Sequence, residues 1–220
     1  MSAAKAAATG RPRSRAAQRG FSMIEIAVTL AVFVLLLGAA MPSMSEWLRN
    51  TRVRNAAESM QAGLQKARTE AIRSNDGVTF WLVGGADERN VDATCTLAST
   101  AGSWVVSRDD PSGMCDTAPS PTVTPKIVET HAAGDGGSGV TVVAANASGA
   151  GASCVRFNGF GRVVDAAALP ADSCRAPDQI SSIDLTHASG ARRLRIVVAN
   201  AGSVRLCDRD AAVDDPRACP

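Results

Sequence analysis

Glu25 is the only ionisable side chain in the run "FSMIEIAVTLAVFVLLLGAAM", Phe21 to Met41. A carboxylate at the centre of a helix in lipid costs on the order of 2.5–3.5 kcal/mol on insertion scales, and less near an interface. An acid kept there calls for a cationic partner or for interfacial water. Six cysteines form a second chemical group: Cys95, Cys115, Cys154, Cys174, Cys207 and Cys219, all beyond the apolar run. None stands in a C-x-x-C, and zinc-type spacing is absent. An even number confined to one side of an apolar segment points to disulfides in an oxidising compartment. The pairing is open from sequence; neighbours (Cys95–Cys115, Cys154–Cys174, Cys207–Cys219) are favoured because each bridge closes a turn-rich loop between extended segments. A third group is basic. Arg193 and Arg195 alternate with Leu194 and Ile196, a row on one strand face, and Arg205 follows in the next predicted strand.

Enzymatic patterns are missing. His131 and His187 are isolated, with no H-E-x-x-H, G-x-S-x-G or phosphate-loop spacing. Asp135-Gly136-Gly137-Ser138-Gly139 lacks the acidic ligands of a calcium loop. Asp109-Asp110-Pro111 and Asp214-Asp215-Pro216 read as turn starters. No catalytic residue, metal site or cofactor is expected.

The elements that position these groups follow from periodicity. Residues 1–20 carry Lys5, Arg11, Arg13, Arg15 and Arg19 and no acid. Residues 21–42 are apolar all round, the composition of a membrane-spanning helix. Over 43–73 apolar residues (Met44, Trp47, Leu48, Ala56, Met60, Leu64, Ala67, Ala71, Ile72) recur at threes and fours between charges. The same helix therefore becomes amphipathic and lays a stripe on a globular domain. Ser74-Asn75-Asp76-Gly77 stops it. Three readings fit this front end: a secretory signal cut at Gly38-Ala39-Ala40, a plain transmembrane helix, or a processed leader before a retained helix. The long basic prefix and the continuation of the helix past Met41 argue against the first. The basic prefix stays cytoplasmic, so the cysteine-bearing domain faces outward.

From 78 to 220 the pattern turns to period two. Strands are predicted at 78–83, 103–108, 122–129, 139–144, 154–157, 162–164, 181–186, 192–199 and 203–207, the last two joined through Asn200-Ala201-Gly202. The fold class is α+β: a long N-terminal helix packed on an antiparallel, sheet-rich domain. The chain has 23 Lys and Arg against 21 Asp and Glu, but the basic prefix holds five of the former. The remainder is mildly acidic, which argues against general nucleic-acid binding through net charge.

Gly20-Phe21-Ser22-Met23-Ile24-Glu25 before an apolar helix resembles the leader junction of type IV pilins and type II secretion pseudopilins. The segments "VRFNGFGRVV" and "GSVRLCDRDAAVDDPRACP" are similar to the GspH/FimT type of minor pilin and pseudopilin. The resemblance implies cleavage between Gly20 and Phe21 by a prepilin peptidase, with N-methylation of Phe21. It implies residence in a bacterial inner membrane with the C-terminal domain periplasmic, then assembly with other minor and major pilins or pseudopilins, at or near the filament tip. Glu25 would pair there with the amino terminus of a neighbouring subunit. Some FimT-like members bind DNA through a Gly-Arg-x-Arg element. Here Gly202-Ser203-Val204-Arg205 keeps Arg205 and has Ser203 in place of the first arginine. Between Ala201 and Pro220, Arg205, Arg209 and Arg217 are outnumbered by Asp208, Asp210, Asp214 and Asp215. Since phosphate contact needs positive charge, a DNA-receptor role through Arg193, Arg195 and Arg205 is the alternative reading.

Overall fold

The computed structural model describes residues 21–87, 90–164, 174, 179–188, 190 and 192–220, and at 39–43 the helical backbone alone. The basic leader expected over 1–20, Gly20 included, lies outside the described residues. Contacts divide the chain into Met1–Ser43 and Met44–Pro220.

Helix α1 runs Met23–Ser74. Ser22 precedes it and its carbonyl accepts the first helical bond, from Ile26 N at 3.2 Å. Serine is a favoured N-cap, and Ser22-x-x-Glu25 has the spacing of a capping box. The C-terminus closes as a Schellman motif: Asp76 N donates to Ala71 O at 3.2 Å and Asn75 N to Ile72 O at 3.3 Å. Asn75 takes the left-handed φ of 49° that this cap needs and that asparagine tolerates. Among the described residues no helix is long and apolar enough to cross a membrane.

In Met44–Pro220, β1 (Val78–Gly84), β2 (Thr96–Leu97), β3 (Ser103–Ser107), β4 (Ile127–His131) and β6 (Cys154–Phe157) form one antiparallel sheet. One edge of β1 pairs with β3; the other is shared end to end by β6 and β2. A second antiparallel sheet takes β5 (Val140–Ala145), β7 (Ser182–His187), β8 (Leu194–Val198) and β9 (Val204–Asp208), in the order β5-β7-β8-β9.

Period two decides what each sheet buries. Val78, Phe80 and Leu82 of β1 join Val53, Ala57, Met60, Leu64, Ala67 and Ala71 of α1 in the main core. Ile183, Leu185, Ile196 and Val198 bring the second sheet into it. The other face of β1, Trp81 and Val83, packs with Val105, Ile127 and four half-cystines in a smaller core. So β1 is buried on both faces, as suits the central strand. At Gly63 the helix approaches the sheet closely: a Cβ there would lie 2.9 Å from Phe80 and 3.0 Å from Trp104.

The stripe expected on α1 is displaced. Val53 and Ala57 are buried, whereas Met44, Trp47 and Leu48 stay exposed because the body of the domain meets the helix only beyond them. Of the predicted strands, 122–129 moves to Ile127–His131. Pro125 cannot donate to a ladder, and Lys126 takes a turn with φ 57°, donating to Val123 O at 2.7 Å. The predicted strand at 162–164 is reduced to a single bridge, Phe157 to Val163, because the Asn158–Gly161 turn leaves no length for pairing. The two-residue β2 is too short to show any alternation in sequence.

Cys95 is bonded to Cys115, Cys154 to Cys174 and Cys207 to Cys219. The first two flank the smaller core; the third ties the C-terminal tail to β9.

Candidate functional site

Two regions hold the residues that the sequence marks for function. The first is the start of α1. Phe21 is exposed, and so are Ile24, Val28, Leu35 and Leu36 along the helix that follows. Glu25 stands in the first turn, where unpaired backbone N–H groups give the helix its positive end. Among the described residues it has no ion-pair partner. This puts a carboxylate four residues from Phe21, on the exposed apolar start of the helix.

The second region is the outer face of the second sheet. Antiparallel register sets Asp184 of β7 beside Arg195 of β8, and Arg195 beside Cys207 of β9. Arg195 grips Asp184 through two bonds, Nε to Oδ1 at 2.6 Å and Nη2 to Oδ2 at 2.7 Å. Arg209 adds a third, Nη1 to Asp184 Oδ2 at 3.0 Å. Arg193, just before β8, donates from Nε and Nη2 to Asp210 Oδ1, and from its backbone N–H to Oδ2. These charge-assisted bonds raise the pKa of both guanidinium groups and hold the Asp210 carboxyl below its ordinary range. Arg205 points at the tail, with Nη2 donating to the carbonyls of Pro216 and Ala218 at 3.1 Å each. Arg195 and Arg205 lie on neighbouring strands and Arg193 just before the first of them, but each is engaged within the chain. Phosphate would have to displace acids already in place.

Gly202, the first residue of the Gly-Ser-Val-Arg element, has a structural duty. It turns the β8–β9 hairpin at φ 82°, and its N–H donates to Ala199 O at 2.7 Å. A Cβ there would overlap the Gly161 carbonyl oxygen, which also accepts from Arg68 Nε at 3.0 Å. The turn at Asn158–Gly161 is thereby pinned to the end of α1 and to the hairpin, and it holds Phe160 84 % exposed. The sequence marks Asn158–Gly161 as a turn and places Trp47 in the stripe that meets the domain; the structure leaves Trp47, like Phe160, largely exposed.

Comparison with known proteins adds a family. Residues 56–202 match the family described as Type II transport protein GspH, and residues 15–41 match the prokaryotic N-terminal methylation motif. Comparison with curated proteins finds no match. Two crystal structures of the type IV minor pilin FimU from Pseudomonas aeruginosa (strain PAO1) are similar, each at 17% identity with a TM-score of 0.42. One alignment covers 73% of this chain and 97% of that one, the other 74% and 92%.

Proposed function

We infer a path from precursor to fibre for this chain, which belongs to the family of type II transport protein GspH and is a minor pilin or pseudopilin of a type IV pilus or a type II secretion filament. Prepilin peptidase cuts between Gly20 and Phe21, and the freed amine of Phe21 is methylated. The carrying observation is that the methylation motif, residues 15–41, brackets Gly20, Phe21 and Glu25 at the start of an uncovered apolar helix. Residues 21–42 anchor the chain once through the inner membrane with 78–220 on the periplasmic side. The same helix later enters the filament core beside other pilins or pseudopilins.

Glu25 gives that transfer a direction. Waiting in the bilayer, its carboxylate stays near the interface. In the fibre, the cationic amino terminus of the adjacent subunit neutralises it, so docking removes an unpaired charge from an apolar setting. Methylation keeps the amine cationic. The decisive measurement is the N-terminal mass of protein recovered from cells with a working peptidase. N-methyl-Phe21 is expected; a start at Met41 would instead indicate release at Ala40, and an intact arginine-rich prefix would overturn the processing scheme.

A DNA-receptor role is the second reading. The pairing of Arg193 and Arg195 with Asp210 and Asp184, and of Arg205 with the tail, weighs against it.

A further inference from the structure

A groove of about 890 Å³ opens at the tip of the β8–β9 hairpin, and assembly through the front of α1 makes no use of it. Ile180 and Val198, both buried, lie at its base, with Val163 and Asn200 beside them. Phe160 and Arg162 stand in its lining on one turn. That turn is fixed: Asn158 Oδ1 accepts from Phe160 N at 3.0 Å and from Arg162 N at 3.1 Å, and Asn158 N donates to Arg162 O at 2.9 Å. A rigid backbone thus holds the Phe160 ring in water, where its apolar area is unfavourable. An aromatic ring and an arginine presented in a set geometry are typical anchors of a protein interface. Arg193, Arg195 and Arg209 all meet acids of the chain. Arg162 differs: among the described residues its guanidinium has no partner, and no carboxylate among them lines the groove. The groove therefore suits an apolar side chain next to an acid.

The chain carries that pair at the other end of the same hairpin. Register sets Val198 opposite Val204 beside the groove and Leu194 opposite Asp208 at the far end. Beyond Asp208 the tail makes a turn, Asp215 N donating to Ala212 O at 2.8 Å, which puts Val213 and Asp214 at its apex. Val213 is 95 % exposed, and Asp214 has no partner among the described residues. The Cys207–Cys219 bond ties the tail to β9, so this projection too is held in place.

We propose that the Val213–Asp214 turn of one copy seats in this groove of a second copy, with Val213 against Phe160 and Asp214 paired with Arg162. The two surfaces differ and lie at opposite ends of the hairpin, so the contact is heterologous and can repeat along a row of copies. It lies wholly within Met44–Pro220 and depends neither on Glu25 nor on processing of the leader.

The test is sedimentation equilibrium of the full chain in density-matched detergent at rising concentration. Reversible self-association is expected, weakened on the order of tenfold in Arg162→Asp, in Asp214→Arg and in Phe160→Ser. All three side chains are exposed, so near-ultraviolet circular dichroism should not change. An equal mixture of the two charge-reversed chains should associate as the unaltered chain does, because every mixed contact again joins opposite charges. A chain that stays monomeric overturns the proposal, as does association that ignores both reversals or a mixture that fails to recover. Binding of a different filament subunit, lost in Arg162→Asp while the chain alone stays monomeric, would give the groove to that subunit and overturn the second copy as its occupant.

Discussion

Glu25 illustrates how one side chain serves two levels of structure. In the isolated helix it complements the positive end of α1, a contribution of about 0.3–1 kcal/mol. In the proposed fibre it would answer a neighbour's amine. Glu25→Gln removes the charge while leaving the helix start nearly intact. We expect unchanged membrane insertion and a marked fall in incorporation, read by immunoblot of sheared filaments; undiminished incorporation would sink the charge-pairing account. Arg156 shows the opposite case, a cation retained for packing. Its Nη1 donates to Thr79 Oγ1 at 3.0 Å and to Arg108 O at 2.9 Å, and burial pushes its pKa down. Gly77 leaves the room it needs, since a Cβ there would overlap the Arg156 guanidinium. Arg156→Ala should therefore lower stability by about 1–3 kcal/mol in a urea titration of the detergent-solubilised chain. At Gly63, wedged against Phe80 and Trp104, alanine should cost about 1–3 kcal/mol through overpacking.

The C-terminal tail is the element on which the basic face depends. Asp208 N donates to Arg217 O at 2.7 Å, and Cys219 is bonded to Cys207. The tail therefore covers the free side of β9, an edge that would otherwise invite pairing with another chain. Closing a loop of this length stabilises by about 3 kcal/mol in the chain-entropy model. Cys219→Ser should cost about that much at most, and it should speed hydrogen exchange at Asp208 and Arg209 before the rest of the sheet opens. Acid acts on the same element. Hydrogen bonds from Arg217 draw the Asp215 carboxyl down to about 2. Because this folded-state pKa lies below the unfolded one, the pair's contribution is complete above the ordinary aspartate range and fades as pH falls through 2. A carboxyl-carbon NMR titration should find the Asp215 midpoint near 2; a midpoint near 3.8, the ordinary value, would show that the pair does not form in solution.

At the scale of the whole molecule, charge and exposure are segregated. The apolar surface is concentrated at the front of α1, and the acidic excess lies beyond it. Such a distribution suits a subunit that exchanges lipid for other subunits, and it offers little to a polyanion. A gel shift with short duplex DNA at low salt should show no retarded band for the intact chain, and Arg205→Ala should change nothing. A salt-dependent shift lost in Arg205→Ala would restore the receptor reading.

Local rules were enough to read the helix, its stop at Asn75, most strands of both sheets and the confinement of cysteines to one side. Each of these rests on period, composition or turn chemistry within a few residues. Tertiary structure alone decided that β1 is buried on both faces, that Trp47 is left uncovered, and that Asp184 and Asp210 hold Arg195 and Arg193. Those outcomes depend on strand register and on where the tail returns. Both set which distant side chains meet, and no spacing along the chain encodes that.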